Sequence, residues 1–291
     1  MDTIRSIFPE LVIDNISFAG SGNESDAYYI NNDLVFKFPK NKEASRKLVN
    51  ELAVLDKLDS KLPFSVPRVL YRTDMSSLSE NSFAGYSRIS GTPITPDYYL
   101  RLSAYEQDRL AADTASFLLA LHSQSSFDLK GNNILGQIQE DCTLVKKVTL
   151  PKIKGRDKEL LKSLLYIEPP PLSKEKALIH GDFSSSHIFF DNKKNQVSAI
   201  IDFADACFDY RYWDFMYLLE DSDEELGHEF RLNVMRRYGL DQDEIRTALS
   251  LAEYNESIWP AQQIALAIRE RDNELLTETL RCIGIEKSIS I

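Results

Sequence analysis

The sequence predicts an α+β fold, with a β-rich amino-terminal lobe over residues 1–90 and a mostly helical carboxy-terminal lobe over residues 91–291. Three observations predict it. Between Ile13 and Phe38 the apolar residues fall in short runs divided by turn residues, the text of half-buried strands. From Ala104 onward they recur mainly at three- and four-residue steps, the text of helices. Between these regimes Gly91, Pro93 and Pro96 break either pattern. Strands first and helices afterwards argue for segregated rather than alternating layers.

Ala27-Tyr28-Tyr29-Ile30 and Leu34-Val35-Phe36-Lys37-Phe38 flank Asn31-Asn32-Asp33, a hairpin turn. The spacing of Ala44, Leu48, Leu52, Leu55 and Leu58 predicts a helix from Glu43 to Leu58. Residues 67–71 and 83–89 read as two further strands. In the second lobe, Leu110, Thr114, Phe117, Leu118 and Leu121 line one face of a helix from Ala104 to His122, with Ser103 as its N-cap. Helical pieces follow between 125 and 173, ended by Pro169-Pro170-Pro171. Strands His187–Phe190 and Val197–Ile201 surround a turn at 191–195, and about four helices are expected from Asp214 to the end.

At 291 residues, 43% apolar and 27% charged, the chain is globular and soluble in character. No run approaches the roughly 18 apolar residues of a membrane span. Met1-Asp2-Thr3-Ile4-Arg5 lacks the apolar core of a secretory signal. Three cysteines without a CxxC pair suit a reduced, cytoplasmic protein, expected to be a monomer. A net charge of −11 argues against nucleic acid as partner. It suits a cationic ligand, although many soluble proteins are equally acidic.

The chemistry concentrates in His180-Gly181-Asp182-Phe183-Ser184-Ser185-Ser186-His187 and Ile201-Asp202-Phe203. Phosphoryl transfer needs an oriented hydroxyl, a divalent ion on the phosphates, and cations around them. Asp182, in a loop before a strand, suits the first task. Asp202, at the tip of an apolar strand, suits the second. Taken alone, each is equally well a turn or strand-end residue; the two together, separated by a hairpin, point to a site. His187 is either a one-point metal ligand or a histidine bonded within the hairpin. His180 supports the loop backbone. Lys37 stands in an apolar strand, an expensive place for an ammonium unless an anion waits there, with snorkelling as the alternative. Glu51 on the next helix is its natural partner. Gly20-Ser21-Gly22-Asn23 is either an ordinary turn or, because it lies one strand before Lys37, a loop whose amides cover phosphate; Ser21 and Gly22 would then touch it. The acidic run Glu220-Asp221-Ser222-Asp223-Glu224-Glu225 is a solvated face or an attractor of ammonium groups, to which Glu256 and Trp259 would add a carboxylate and a flat wall.

In this order the features resemble the aminoglycoside phosphotransferases, small-molecule kinases with a protein-kinase-like bilobal fold. The likeness is greatest to the 2″-phosphotransferases, through Val35–Lys40, Ser82–Tyr86, His180–Ser185 and Ile200–Asp205. It spans roughly residues 10–270. The resemblance implies Asp182 as catalytic base facing the substrate, and His187 and Asp202 as Mg²⁺ ligands. It implies Lys37 and Glu51 as the phosphate-anchoring pair. Ser87 and Ile89 would offer hinge backbone to the purine, and Tyr86 would guard the base pocket, a residue that goes with GTP over ATP. Glu220, Glu224, Glu256 and Trp259 would line the aminoglycoside site. Ala204 stands where glycine is common, and Tyr210–Asp214 lacks the usual Asp-Pro; neither change removes a catalytic group. The activity so implied is transfer of the γ-phosphate of GTP or ATP to an aminoglycoside hydroxyl, the 2″-hydroxyl foremost, conferring resistance. A kinase for a macrolide or choline-like acceptor, or a non-catalytic nucleotide-binding pseudokinase, are the alternatives.

Overall fold

The structure, a computed structural model, describes residues 2–22, 24–58, 62–74, 82–124, 133–172, 176–216, 218, 226–286 and 289. Helix α1 (Asp2–Ile7) precedes an antiparallel sheet of five strands, β1 (Ile16–Ser21), β2 (Ser25–Ile30), β3 (Leu34–Pro39), β4 (Val69–Arg72) and β5 (Ala84–Ser87), ordered β1-β2-β3-β5-β4. Helix α2 (Lys42–Leu55) enters between β3 and β4. The predicted hairpin is present. Asn31 and Asn32 take φ values of +53° and +65°, a left-handed conformation that asparagine tolerates better than most side chains.

The sheet has two working faces because side chains alternate along a strand. On one, Ile30, Leu34, Phe36 and Phe83 close over Ile4 of α1. On the other, Ala84 and Tyr86 receive Leu48 and Leu52 of α2. With Phe36 committed to the first face, Lys37 must turn to the second, towards α2. Asn41 caps α2 by accepting the Ala44 amide at 2.8 Å. The helix stops at Leu55 rather than at Leu58, because Lys57 and Leu58 both turn back to the carbonyl of Val54.

The remainder contains β6 (Thr92–Pro93), α3 (Pro96–Tyr99), α4 (Ala104–His122), α5 (Ile134–Val148), α6 (Gly155–Leu165), β7 (Ala177–Ile179), β8 (Ile188–Asp191), β9 (Gln196–Ile200) and β10 (Cys207–Asp209). Helices α7 (His228–Tyr238), α8 (Gln242–Glu270) and α9 (Asn273–Cys282) complete it. Helix α4 has its predicted bounds and cap, a reciprocal box between Ser103 and Glu106. The hairpin β8–β9 is also where the sequence placed it, but His187 is not its first residue: it closes a 3₁₀ turn, Ser185–His187, just before β8. The lone turn Arg211–Phe215 and three α-helices stand where about four helices were expected, among the described residues. Two small ladders escape the sequence pattern. The three-residue strands β7 and β10 pair with each other, and β6 adds to β8 as an edge strand, where Pro93 needs no amide bond.

Among the described residues, two connectors flanking the five-stranded sheet form backbone hydrogen bonds with the β8–β9 hairpin. One is β6 on β8. The other is Ser65, between α2 and β4, whose amide donates to the Ser198 carbonyl at 3.3 Å and whose carbonyl accepts from Ile200 at 3.0 Å. Below them lies the main core, with Phe117, Phe183, Phe203, Trp213, Phe215 and Phe230 fully buried.

A close approach in the sheet offers a stability test. A Cβ on Gly85 of β5 would lie 2.6 Å from the Phe36 ring. Gly85→Ala is therefore expected to destabilise the protein by about 1–3 kcal/mol through overpacking. Urea denaturation measures this, and an unchanged midpoint would show that the ring can step aside.

Candidate active site

Strand β3 and helix α2 place Lys37 opposite Glu51, and the end of β9 delivers Asp202 to the same point. The Lys37 Nζ lies 2.9 Å from Asp202 Oδ1 and 3.3 and 3.4 Å from the two oxygens of Glu51. Lys37 is 22% exposed and Glu51 is buried, so the contact is protected from solvent. Burial disfavours the ammonium, but the carboxylates of Glu51 and Asp202 outweigh it and raise the Lys37 pKa. Asp202 feels the converse. Burial pushes it up, and Lys37, then His187, more than offset this and hold its carboxyl at about 2. Its backbone φ is +68°, a left-handed conformation for a residue with a side chain. The sequence-based pairing of Lys37 with Glu51 is thus realised, with Asp202 as a third member.

The loop carrying Asp182 hangs from buried anchors. Phe183 and Phe203, each directly after an aspartate of the site, sit in the core against Phe117, with ring centroids 5.9 and 6.5 Å from it. His180 is fully buried. Its Nε2 donates to the Ile201 carbonyl at 2.9 Å, which ties the Asp182 loop to the Asp202 strand. Burial and the neighbouring His187 lower the His180 pKa, in keeping with a neutral, structural imidazole. Asp214, buried, accepts hydrogen bonds from the amides of His180 at 2.8 Å and Gly181 at 2.9 Å and from His122 Nε2 at 3.0 Å. At Gly181 φ is +82° and a Cβ would meet the Asp205 carbonyl at 2.3 Å, so only glycine fits.

Asp182 and His187 stand side by side in this frame. The His187 Nδ1 lies 2.8 Å from the Asp182 carbonyl, which can only accept, so Nδ1 carries a proton. In the neutral ring the lone pair then sits on Nε2, which faces Asp202 Oδ2 at 3.9 Å. That donor set fits a hard divalent ion: one imidazole nitrogen, one carboxylate, and room for phosphate oxygens and water. Among the described residues no cluster of three such protein ligands occurs, so the two residues would share the ion with a ligand. Burial raises the Asp182 pKa more than His187 and His180 lower it, and Asp205 and Asp202 add to the rise. The result is a more basic carboxylate.

These groups line one cleft of about 870 Å³, shared by the glycine loop, α2 and the Asp182–His187 loop. Gly20, Lys37, Glu51 and Asp202 also line an adjoining cavity of about 240 Å³, walled by Ala19, Val35, Phe189 and Ile201 and reaching Tyr86, Ser87 and Ile89. The Ser87 amide is engaged by the Arg68 carbonyl, and Tyr86 turns its hydroxyl to Glu51 at 3.0 Å. Ser21 and Gly22 line the cleft, but the Ser21 hydroxyl is occupied, donating to Asp26 and accepting from Lys40. Glu256 and Trp259 lie on an exposed stretch of α8 and are not among the cleft-lining residues. Glu220 and Glu224 lie outside the described residues.

Three contributors were missed in the sequence. Lys47 bridges Glu24 of the glycine loop to Asp205, 2.8 Å away. Asn50 donates to the carbonyls of Ala204 and Ala206 at 3.0 and 2.8 Å. Asp214 is the third. Lys47 precedes Glu51 by one helical turn, a spacing that shows they share a face. Asp214 carries only a weak signal, an acid between Trp213 and Phe215 that burial would penalise unless bonded.

A profile of the phosphotransferase enzyme family matches residues 15–250. The chain belongs to that family. Solved structures agree over nearly the whole chain. The GDP and kanamycin complex of APH(2″)-IIIa is 26% identical, with a TM-score of 0.79, covering 98% of this phosphotransferase and 97% of the other chain. The streptomycin–ATP ternary complex of APH(2″)-IIa is 25% identical, with a TM-score of 0.81 and coverage of 97% and 95%. The macrolide 2′-phosphotransferase MphH from Brachybacterium faecium shares the fold at a TM-score of 0.71 and 13% identity, covering 99% of this phosphotransferase and all of its own chain (100%). The kinase-like α+β architecture read from the sequence is thereby established.

The carboxyl of Asp202 makes the phosphotransferase's acid stability testable. A carboxyl held at about 2, against an ordinary 3.8, contributes stability that is present above about pH 4 and lost as pH falls toward 2. In Lys37→Met the largest cause of that depression is removed, so acid unfolding followed by circular dichroism should begin at higher pH. Coincident acid limbs for the two proteins would refute the role of Lys37.

Proposed function

We propose that this phosphotransferase moves the γ-phosphoryl group of GTP or ATP onto a hydroxyl of an aminoglycoside, the 2″-hydroxyl, and so inactivates the antibiotic in the cytoplasm. The observation that carries the reading is the meeting of Lys37, Glu51, Asp202, His187 and Asp182 on one cleft continuous with an apolar-walled cavity at the hinge. The base enters that cavity against Val35 and Ile201, with the backbone of Ser87 and Ile89 at its edge. Tyr86 narrows the inner end, which favours guanine. The triphosphate runs under Ser21 and Gly22 towards Lys37. Residues 1–90 then act as the nucleotide lobe and 91–291 as the catalytic and substrate lobe.

Asp182 accepts the proton of the acceptor hydroxyl as its oxygen bonds to the γ-phosphorus, while the bridging bond breaks and the nucleoside diphosphate keeps that electron pair. Its raised basicity suits this task. Lys37, steadied by Glu51, holds the phosphates in line. Mg²⁺, held by His187 and Asp202, would neutralise phosphate charge. Support for a polycationic acceptor comes from the surplus of carboxylates in the cleft, Glu24, Glu51, Asp182, Asp202 and Asp205 against Lys37 and Lys47, and from the overall charge of −11. Glu220, Glu224, Glu256 and Trp259 are proposed to hold its amino groups and rings. The enzyme is proposed to work as a monomer.

Transfer of labelled γ-phosphate from GTP and from ATP to kanamycin, gentamicin, a macrolide and choline tests the acceptor. Labelled kanamycin or gentamicin is expected, and label on the macrolide or choline alone would replace the reading. Nucleotide binding without transfer to any of them would make the chain a pseudokinase. Asp182→Ala is expected to lower kcat by about 10²–10⁴-fold with nucleotide affinity retained. Mutant turnover equal to wild type would remove Asp182 from the mechanism.

A further inference from the structure

Tyr86 touches both halves of the nucleotide site. Its ring lines the hinge cavity beside Ser87 and packs on Leu48 and Leu52 of α2. Its hydroxyl, at the far end of the ring, donates to Glu51 Oε2 at 3.0 Å. Both residues are buried, Tyr86 at 4% and Glu51 at 1% exposure. The lengths of the neighbouring contacts show what this bond does. Lys37 sits close to Asp202, at 2.9 Å, and further from Glu51, at 3.3 and 3.4 Å. The contact with Tyr86 is therefore the one hydrogen bond of ordinary length that the Glu51 carboxylate makes with another side chain among the described residues. A buried carboxylate that loses such a donor pays its full desolvation penalty or moves to find another. A shift of Glu51 would displace one of the two carboxylates that position Lys37.

We propose that the Tyr86 hydroxyl is a positioning group for phosphoryl transfer: through Glu51 it fixes Lys37, so that one side chain shapes the base pocket with its ring and aligns the phosphate anchor with its oxygen. The inference rests on Lys37 being the anchor for the nucleotide's phosphates. It predicts a division that a merely space-filling tyrosine would not show. Replacing the hydroxyl by hydrogen leaves the ring, and hence the base pocket, in place. The loss falls on the phosphates alone.

Calorimetric titration of the full chain with GTP, guanosine, ATP and adenosine, in Mg²⁺ buffer and without any acceptor, tests this. For Tyr86→Phe the affinity for the triphosphate should fall about tenfold, the scale of one hydrogen bond to a charged group. The matching nucleoside should stay within about twofold of wild type, since the ring environment and its contacts are kept. In a Glu51→Gln background the same change should alter triphosphate affinity less than about twofold, the non-additivity expected of directly coupled residues. Equal weakening of triphosphate and nucleoside would overturn the proposal, as would no weakening of either. Additive losses in the double variant would overturn it as well. Thermal melting of each variant separates these outcomes from unfolding. Because no acceptor is present, an error in the proposed antibiotic substrate leaves the test intact. A wild type that binds neither triphosphate would overturn the nucleotide reading and this inference together.

Discussion

The structure turns on one ammonium group. Lys37 reaches out of a strand whose Leu34 and Phe36 serve an aromatic core and stands between two carboxylates that come from different parts of the chain. Without it, Glu51 and Asp202 would face each other in a poorly hydrated crevice, an arrangement that neither helix packing nor strand pairing would hold. With it, α2, β3 and the end of β9 meet at one point. Their convergence joins the sheet to the helical part at the wall of the cleft.

Around that point the acidic residues are held by apolar ones. Asp182 and Asp202 are each followed by a phenylalanine that is locked against Phe117, so two side chains of opposite solubility hang from one short piece of backbone. His180 and Asp214 complete the frame from below, spending their polar groups on backbone amides and a carbonyl rather than on a ligand. The left-handed backbone at Asp202 and the crowded glycine at 181 are local strains that this frame supports. Side chains held in this way are preorganised, the economy that phosphoryl transfer rewards.

The residues that meet in the cleft were in part legible because they stand out in contiguous text. A lone lysine in an apolar strand, an acid at the tip of another, and a His-x-Asp loop are local anomalies, and each marks a residue that the structure brings to the cleft. Helix α4 was legible to the residue, since its cap and its apolar stripe agree. What stayed hidden depends on contacts distant in sequence. The ladder of β7 with β10 is three residues long, too short to show a period. Asp214 anchors loop amides 33 and 34 residues away in sequence. Lys47 has the look of any surface lysine on an amphipathic helix until Glu24 and Asp205 are seen to flank it. The 3₁₀ turn at His187 likewise depends on a bond back to Ser184 that no alternation announces.

The paired attachments of the five-stranded sheet, at Ser65 and at β6, have a mechanical meaning. A single connecting strand would act as a universal joint, free to twist and bend in any direction. Two backbone anchorages act like the pins of a door, fixing the line along which the connectors meet the hairpin. Both pins lie on the β8–β9 hairpin, whose second strand leads directly to Asp202, so the sheet that carries Lys37 is registered against the carboxylate it pairs with.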